Sequence, residues 1–366
     1  MNCFNRDGGV FFVSGELFQH TTGGILCDRM VADELKKTRT VCFVVPQIRS
    51  LLKLNRPLLA GLINNLLNLF RSFPRNSLLF IDHGVYRDCF LAGNLWRWRF
   101  RCRVVGLVYH LDYELPEMRG GKTLRAGIEK LMIRAYDYAL TISQSTAHHL
   151  QQLGQPADRI AQIPVSRRFE PQEYHERPAK SENDPLTFLF VGSVQPRKGL
   201  LEAVEALGRY HGRQPVRFQC VGNYDPESAY FHELTETAKR FVHLSFETPG
   251  TVSQERLIEC FRAADAFLFP SHWEGYGIAI EEAMCFALPV VAYHAGAVPE
   301  LVEDGVNGWL APVADIAALA RAIAECIEQP DERIRRGRNA LAKAHEKCAA
   351  GDLNVILENA IATATK

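Results

Sequence analysis

Two doubly wound α/β domains in tandem are the architecture that this 366-residue sequence predicts. Three observations carry the reading. Short apolar runs alternate with helical-period segments almost throughout, which is the pattern of a parallel sheet covered by helices on both faces. The alternation breaks at "VSRRFEPQEYHERPAKSENDP" (165–185), a polar, proline-bearing stretch almost free of aliphatics. The length is too great for one small core and suits two domains of ordinary size. These place an N-terminal domain at 1–170, a linker at 171–186 and a C-terminal domain at 187–345. The remainder, 346–366, is a terminal helix positioned to pack back on the first domain.

In the first domain the strands are "VFFVS" (10–14), "TVCFVV" (40–45), "LLFID" (78–82), "RVVGLVYH" (103–110) and "YALTIS" (138–143). Amphipathic stretches at 24–37, 56–71, 119–135 and 144–153 supply the helices between them. The second series is "TFLFVGS" (187–193), "VRFQCVG" (216–222), "VHLSF" (242–246), "AFLFPS" (266–271) and "LPVVAY" (288–293). Helices at 198–210, 226–240, 252–264, 277–287 and 315–328 fill its gaps. Two such domains in tandem create a cleft, and ligands favour the carboxyl ends of parallel strands.

Composition excludes several classes. Hydrophobic residues make up 47% and charged residues 23%, so the chain folds rather than staying disordered. Net charge is zero, which argues against a general nucleic-acid binder. Ten cysteines are scattered with no Cys-x-x-Cys pair, the usage of reduced, buried thiols in a cytoplasmic protein rather than a metal site or disulfide framework. "GGVFFV" is too short for a signal peptide, and no stretch reaches the ~18 uncharged apolar residues of a spanning helix.

Three segments at predicted strand ends carry chemistry. "FVGSVQPRKGL" (190–200) brings Gly192, Arg197 and Lys198 to a strand-to-helix turn, where two cations can neutralise a pyrophosphate. It lacks the Gly-x-Gly-x-x-Gly dinucleotide fingerprint. "VGNYDPE" (221–227) is a second glycine turn, with Asn223 at its polar tip. "PSHWEGYGIAIEEAM" (270–284) ends a strand, passes through a glycine loop and starts a helix near Gly277, whose first amides can hold phosphate. Glu274 lies before that helix and Glu282 in its second turn. A carboxylate facing a vicinal diol accepts two hydrogen bonds, and ribose and hexose each offer one, so acid, phosphate nest, acid suits a nucleotide sugar. Glu281 and Glu282 point about 100° apart on the helix, so only one faces the site; Glu281 is read as solvent-facing.

Taken with "FVGSVQPRKGL", the segment "ADAFLFPSHWEGYGIAIEEAMCFALPVVAYHAGAVPELVEDGVNGWLAP" (264–312) resembles the donor-binding half of the family 4 retaining glycosyltransferases, of GT-B fold. The resemblance covers most of 186–328. It implies that Glu282 binds the ribose hydroxyls and Glu274 those of the donor sugar. Gly275, Tyr276, Gly277 and Ile278 then lie where backbone amides meet phosphate and sugar, and Lys198 supports the departing diphosphate. Family members commonly carry an arginine where this chain has Ser193, which leaves Arg197 to compensate. The implied reaction moves a hexosyl unit from a nucleotide-diphosphate sugar to an acceptor hydroxyl, with retained anomeric configuration and no metal or other cofactor.

In the first domain the resemblance implies two further features. "TTGG" (21–24) follows the first strand, and Gly23 and Gly24 let backbone approach the phosphate or the acceptor; a tight strand–helix turn needs the same glycines. His110 ends a strand and matches a histidine beside the donor sugar, suited to bonding a sugar hydroxyl or supporting developing charge. Asp82 and His83 in "IDHG" end another strand on the same expected edge and are acceptor-side candidates.

The neutral total hides a basic region. Residues 45–105 hold ten Lys or Arg against two Asp, and "LWRWRFRCRV" (95–104) interleaves them with aromatics. That composition suits an anionic membrane surface, making the protein peripheral on its cytoplasmic face. Inward packing of Trp96, Trp98 and Phe100 beneath a solvated arginine face is the competing account. No RNA-recognition motif accompanies the region. Two alternatives to transfer stay open: a nucleotide-sugar 2-epimerase, which converts its donor with no acceptor present, and a non-catalytic carbohydrate-binding protein on the same fold.

Overall fold

The computed structural model describes residues 10–14, 23–44, 76–86, 101–111, 122–165, 168–175, 180–181, 183–348 and 351–366. The chain divides into two compact units, Met1–Ser166 with Gly351–Lys366, and Arg167–Ala350. Each is built on a six-stranded sheet in which every neighbour is parallel.

In the first unit the strands are β1 (Val10–Val13), β2 (Val41–Val44), β3 (Leu78–Asp82), β4 (Arg103–Leu107), β5 (Tyr138–Thr141) and β6 (Ile160–Gln162), in the order β2-β1-β3-β4-β5-β6. Its helices include α1 (Gly23–Thr38), α2 (Lys122–Arg134), α3 (Gln144–Gln152) and the terminal α10 (Leu353–Ala364). Strand β1 is buried along its length, and Phe12 stacks on Phe80 of the neighbouring strand at 6.4 Å. Helix α10 packs on α1, β4 and β5, and Arg39 pairs with Glu358 at 2.5 Å.

The second unit has β7 (Leu186–Val191), β8 (Val216–Val221), β9 (Leu244–Gly250), β10 (Ala266–Phe269), β11 (Val290–Tyr293) and β12 (Gly308–Ala311). Their order is β12-β11-β10-β7-β8-β9. Helices α4 (Leu200–Gly208), α5 (Ala229–Ala238), α6 (Gln254–Ala263), α7 (Ile278–Cys285), α8 (Ile316–Glu328) and α9 (Pro330–Cys348) cover it. Local chemistry sets several starts: Ser228, Ser253 and Asp315 each accept a backbone N–H three residues on, which satisfies an orphan donor of the first turn. The strand order reverses between β7 and β10, so a crevice opens at their carboxyl ends.

Two features differ from the sequence expectation, and a third expectation falls outside the described residues. Strands β6 and β12 are additional, since "IAQ" and "GWLA" are too short for periodicity to reveal and exist by pairing with β5 and β11. The segment expected as a linker lies on the second unit: Phe169 packs edge-on against Phe261 and Phe286, and Gln172 N–H donates to the Cys285 carbonyl at 2.8 Å. The predicted helix at 56–71 and most of the basic stretch, including Trp96 to Phe100, lie outside the described residues. No described helix is long and apolar enough to cross a membrane.

Candidate active site

Strand β7 runs into Gly192 and a half-buried Ser193, then a 3-10 turn, Pro196–Lys198, leads into α4. Between turn and helix, Gly199 adopts φ 65°, and any Cβ there would strike the Pro270 carbonyl. Only glycine lets this turn close against the end of β10. A backbone bond from His272 N–H to the Arg197 carbonyl, 2.9 Å, ties the two strand ends together.

That closure aligns three charged side chains. The Lys198 ammonium, almost fully buried and 5.1 Å over the Phe269 ring, donates to Glu274 Oε1. The Arg197 guanidinium approaches the same oxygen at 3.5 Å. Burial chiefly holds Lys198 below the usual lysine range; Glu274 opposes that shift and Arg197 adds to it. The Glu274 loop is fixed from behind, its carbonyl accepting from Ala297 N–H at 2.9 Å.

Helix α7 starts just beyond. Gly277 is its N-cap at φ 102° and contributes no side-chain cap, so the Ile278 and Ala279 amides stay available at the helix start. Tyr276 turns inward, its hydroxyl donating to Glu281 Oε2 at 2.7 Å. Glu281 is therefore buried, 2% exposed, not solvent-facing as the helical spacing suggested: the phenol before the helix folds back over it. Glu282, one position on, is also fully buried, with both carboxylate oxygens held by Arg168. The loop after β8 is joined to the first turn by Val194 N–H donating to the Asn223 carbonyl at 2.9 Å, with the Asn223 side chain exposed.

In the first unit Gly23 and Gly24 form the opening turn of α1, where a Cβ on Gly24 would meet the Tyr109 ring at 3.2 Å. Thr21 and Thr22 lie outside the described residues. His110 is exposed after β4. Asp82 ends β3 and its Oδ1 accepts from Val85 N–H at 3.0 Å. His83 does not present itself to a ligand: it is buried, Nδ1 lies 2.8 Å from the Tyr136 hydroxyl and Nε2 lies 3.2 Å from Glu129.

Three charged residues emerge that the sequence reading passed over. Arg168 sits in the polar stretch taken for a linker. Glu202, on α4, bonds His272 at 2.8 Å; burial raises its carboxyl, but the His272 bond, a bond from its own backbone N–H and the His272 charge together leave it below the usual range. Asp28, on α1, is buried and accepts from Ser14 at 2.8 Å and Tyr109 at 2.7 Å. Burial and the neighbouring Asp82 charge push it up to about 8. A polar residue on an otherwise apolar helix face was the signal for Asp28; none marked Arg168. Among the described residues no group of three or more His, Cys, Asp or Glu is arranged to hold a metal.

Comparison with known proteins matches residues 172–343 to the glycosyl transferases group 1 family. The amylovoran biosynthesis glycosyltransferase AmsK of Erwinia amylovora is 33% identical over 189 residues, which is 50% of this chain and 45% of AmsK. The chain thus spans about half the length of the curated relatives it matches. Among solved structures, sucrose-phosphate synthase from Thermosynechococcus elongatus superposes with a TM-score of 0.75 at 18% identity, covering 96% of this chain and 97% of that one. Anabaena HepE, solved in complex with UDP and glucose, gives 0.72 at 21% identity, covering 97% and 99%. These neighbours establish the GT-B fold.

Proposed function

From the match of residues 172–343 to the glycosyl transferases group 1 family, we propose that the protein transfers a hexosyl unit from a nucleotide-diphosphate sugar to an acceptor hydroxyl, with retention and without a metal. One observation carries the reading: Lys198 and Arg197 converge on the Glu274 carboxylate at the strand-order reversal, in front of an uncapped helix start. A buried ammonium beside open amides is an environment for a diphosphate. When a donor enters, Lys198 and Arg197 turn to its phosphates and Glu274 is released to accept from the sugar hydroxyls. Glu282 lies four residues down α7 from Ile278, about 6 Å along the axis, a span that fits between the phosphate and the ribose diol of one nucleotide.

Arg197 takes the part of the cation absent at Ser193, and the amides of Ile278 and Ala279 meet the charge that develops on the leaving diphosphate. His110 is assigned a hydroxyl of the donor sugar, and Asp82 the acceptor side. The HepE complex with UDP and glucose supports a uridine diphosphate sugar as the first donor to try, and the name of AmsK supports a saccharide acceptor in polysaccharide assembly.

The test is a thermal-shift screen of UDP, GDP, ADP and dTDP sugars, followed by product analysis with saccharide acceptors. A new glycosidic product formed only with both substrates is expected. Conversion of the donor alone, or binding without turnover, would overturn transfer.

A further inference from the structure

Glu282 offers no open carboxylate to a ligand, because its side chain is fully buried. One residue occupies both of its oxygens. Arg168 Nε donates to Oε1 at 2.7 Å and its terminal nitrogen to Oε2 at 2.5 Å, while the Arg168 backbone N–H reaches Oε1 at 3.3 Å. This fork uses the same two acceptors that a vicinal diol needs.

The partners differ in their freedom to move. Glu282 is in the second turn of α7, between buried neighbours on a helix whose described residues 280–285 are all buried. Arg168 is outside helix and strand, its side chain 35% exposed and its guanidinium 5.7 Å over the Phe169 ring. The chain is anchored directly behind it by Phe169, between Phe261 and Phe286, and by the Gln172–Cys285 backbone bond. A buried helical carboxylate cannot travel to a ligand, whereas a half-exposed arginine on a pinned segment can swing about its own side-chain torsions.

We propose that Arg168 gates the ribose subsite: its guanidinium caps Glu282 while the site is empty and leaves when a ribose diol takes the two oxygens. The inference rests on the donor-site reading of Glu282. The exchange keeps a buried carboxylate hydrogen-bonded in both states, avoiding the cost of a lone buried charge. It also lowers apparent affinity by the fraction of molecules with the gate open. A nucleotide with one hydroxyl leaves half of the fork in place and meets less of that cost, so the gate narrows the affinity difference between ribo and deoxy forms.

Calorimetry with UDP, GDP and ADP, and with the 2′-deoxy counterpart of whichever binds most tightly, tests this on the full chain. In Arg168→Met the ribonucleotide should bind about tenfold more tightly, with a smaller gain for the deoxy form. Arg168→Lys keeps the charge without the fork, should fall between, and carries the test if the methionine variant fails to fold. Unchanged or weaker ribonucleotide binding in these variants overturns the gate. Glu282→Ala is the separate control: it should abolish discrimination between ribo and deoxy forms. Discrimination that survives in that variant, or no binding of any nucleotide to the wild type, overturns the donor-site reading instead.

Discussion

The two units place acids at equivalent points and treat them in opposite ways. Each has a sheet whose strand order reverses near its middle, and each buries carboxylates at the carboxyl ends of the strands beside that reversal. In the second unit, Glu274 faces Lys198 and Arg197, and Glu282 faces Arg168. In the first, Asp28 accepts, among the described residues, from the neutral hydroxyls of Ser14 and Tyr109 and feels the charge of Asp82. The acids of one unit sit against cations, while burial and a neighbouring acid push Asp28 of the other up to about 8. The same topology therefore supplies a place for chemistry, and the identity of the nearest charges decides what chemistry it is.

The comparison breaks most sharply at Lys198. Replacing it with Met removes the buried cation assigned to the leaving diphosphate, and kcat should fall by roughly 10²–10³ in steady-state assays at saturating donor. An unchanged kcat would show that the cations of this unit serve only structure. Next in size is Glu282→Ala, for which donor affinity should drop roughly tenfold to a hundredfold by calorimetry, the range for hydrogen bonds to a charged group. Equal affinities for wild type and variant would sink the ribose assignment.

Tyr276→Phe and Glu281→Gln sharpen the contrast between neighbouring acids on one helix. Tyr276→Phe removes a buried bond to a carboxylate and should cost about 1.5–3 kcal/mol in denaturant unfolding, Glu281→Gln keeps a neutral acceptor and should cost less, and donor affinity should shift less than twofold in both. A large loss of affinity with unchanged stability would reverse the roles of Glu281 and Glu282.

Asp28 provides the pH test of the first unit. Its folded pKa, about 8, is above its unfolded value near 3.8, so the native state binds the extra proton between them. Stability from this group is full below about pH 4 and is lost as pH rises through the window to about 8, roughly 1.4 kcal/mol per pH unit. Asp28→Asn should flatten that slope in unfolding measured at pH 6 and pH 7. The same slope in variant and wild type would mean that Asp28 is ionised in the native protein.

Much of this was legible from residues alone, though unevenly. The run "FVGSVQPRKGL" announced a strand, a turn and two cations because strand pattern, proline and glycine act within a few residues of each other. "EGYG" announced a helix start for the same reason. Glu281 was misplaced because helical spacing separates its direction from that of Glu282 without saying what covers it, and Tyr276 covers it. His83 looked available at a strand end, and only the packing of Tyr136 and Glu129 makes it internal.

By itself, then, the sequence determined the alternation of strands and helices, the turns that end the strands, and the order in which Lys198, Glu274 and Glu282 reach one sheet edge. These follow from backbone preferences and side-chain periodicity over short distances. Tertiary structure decided which charge meets which: Lys198 with Glu274 across 76 residues, Tyr109 with Asp28 across 81, and Arg168 with Glu282 across 114. No periodicity connects such pairs. They exist because the folded sheet brings distant strand ends together, and a buried charge is tolerated only where a partner waits for it.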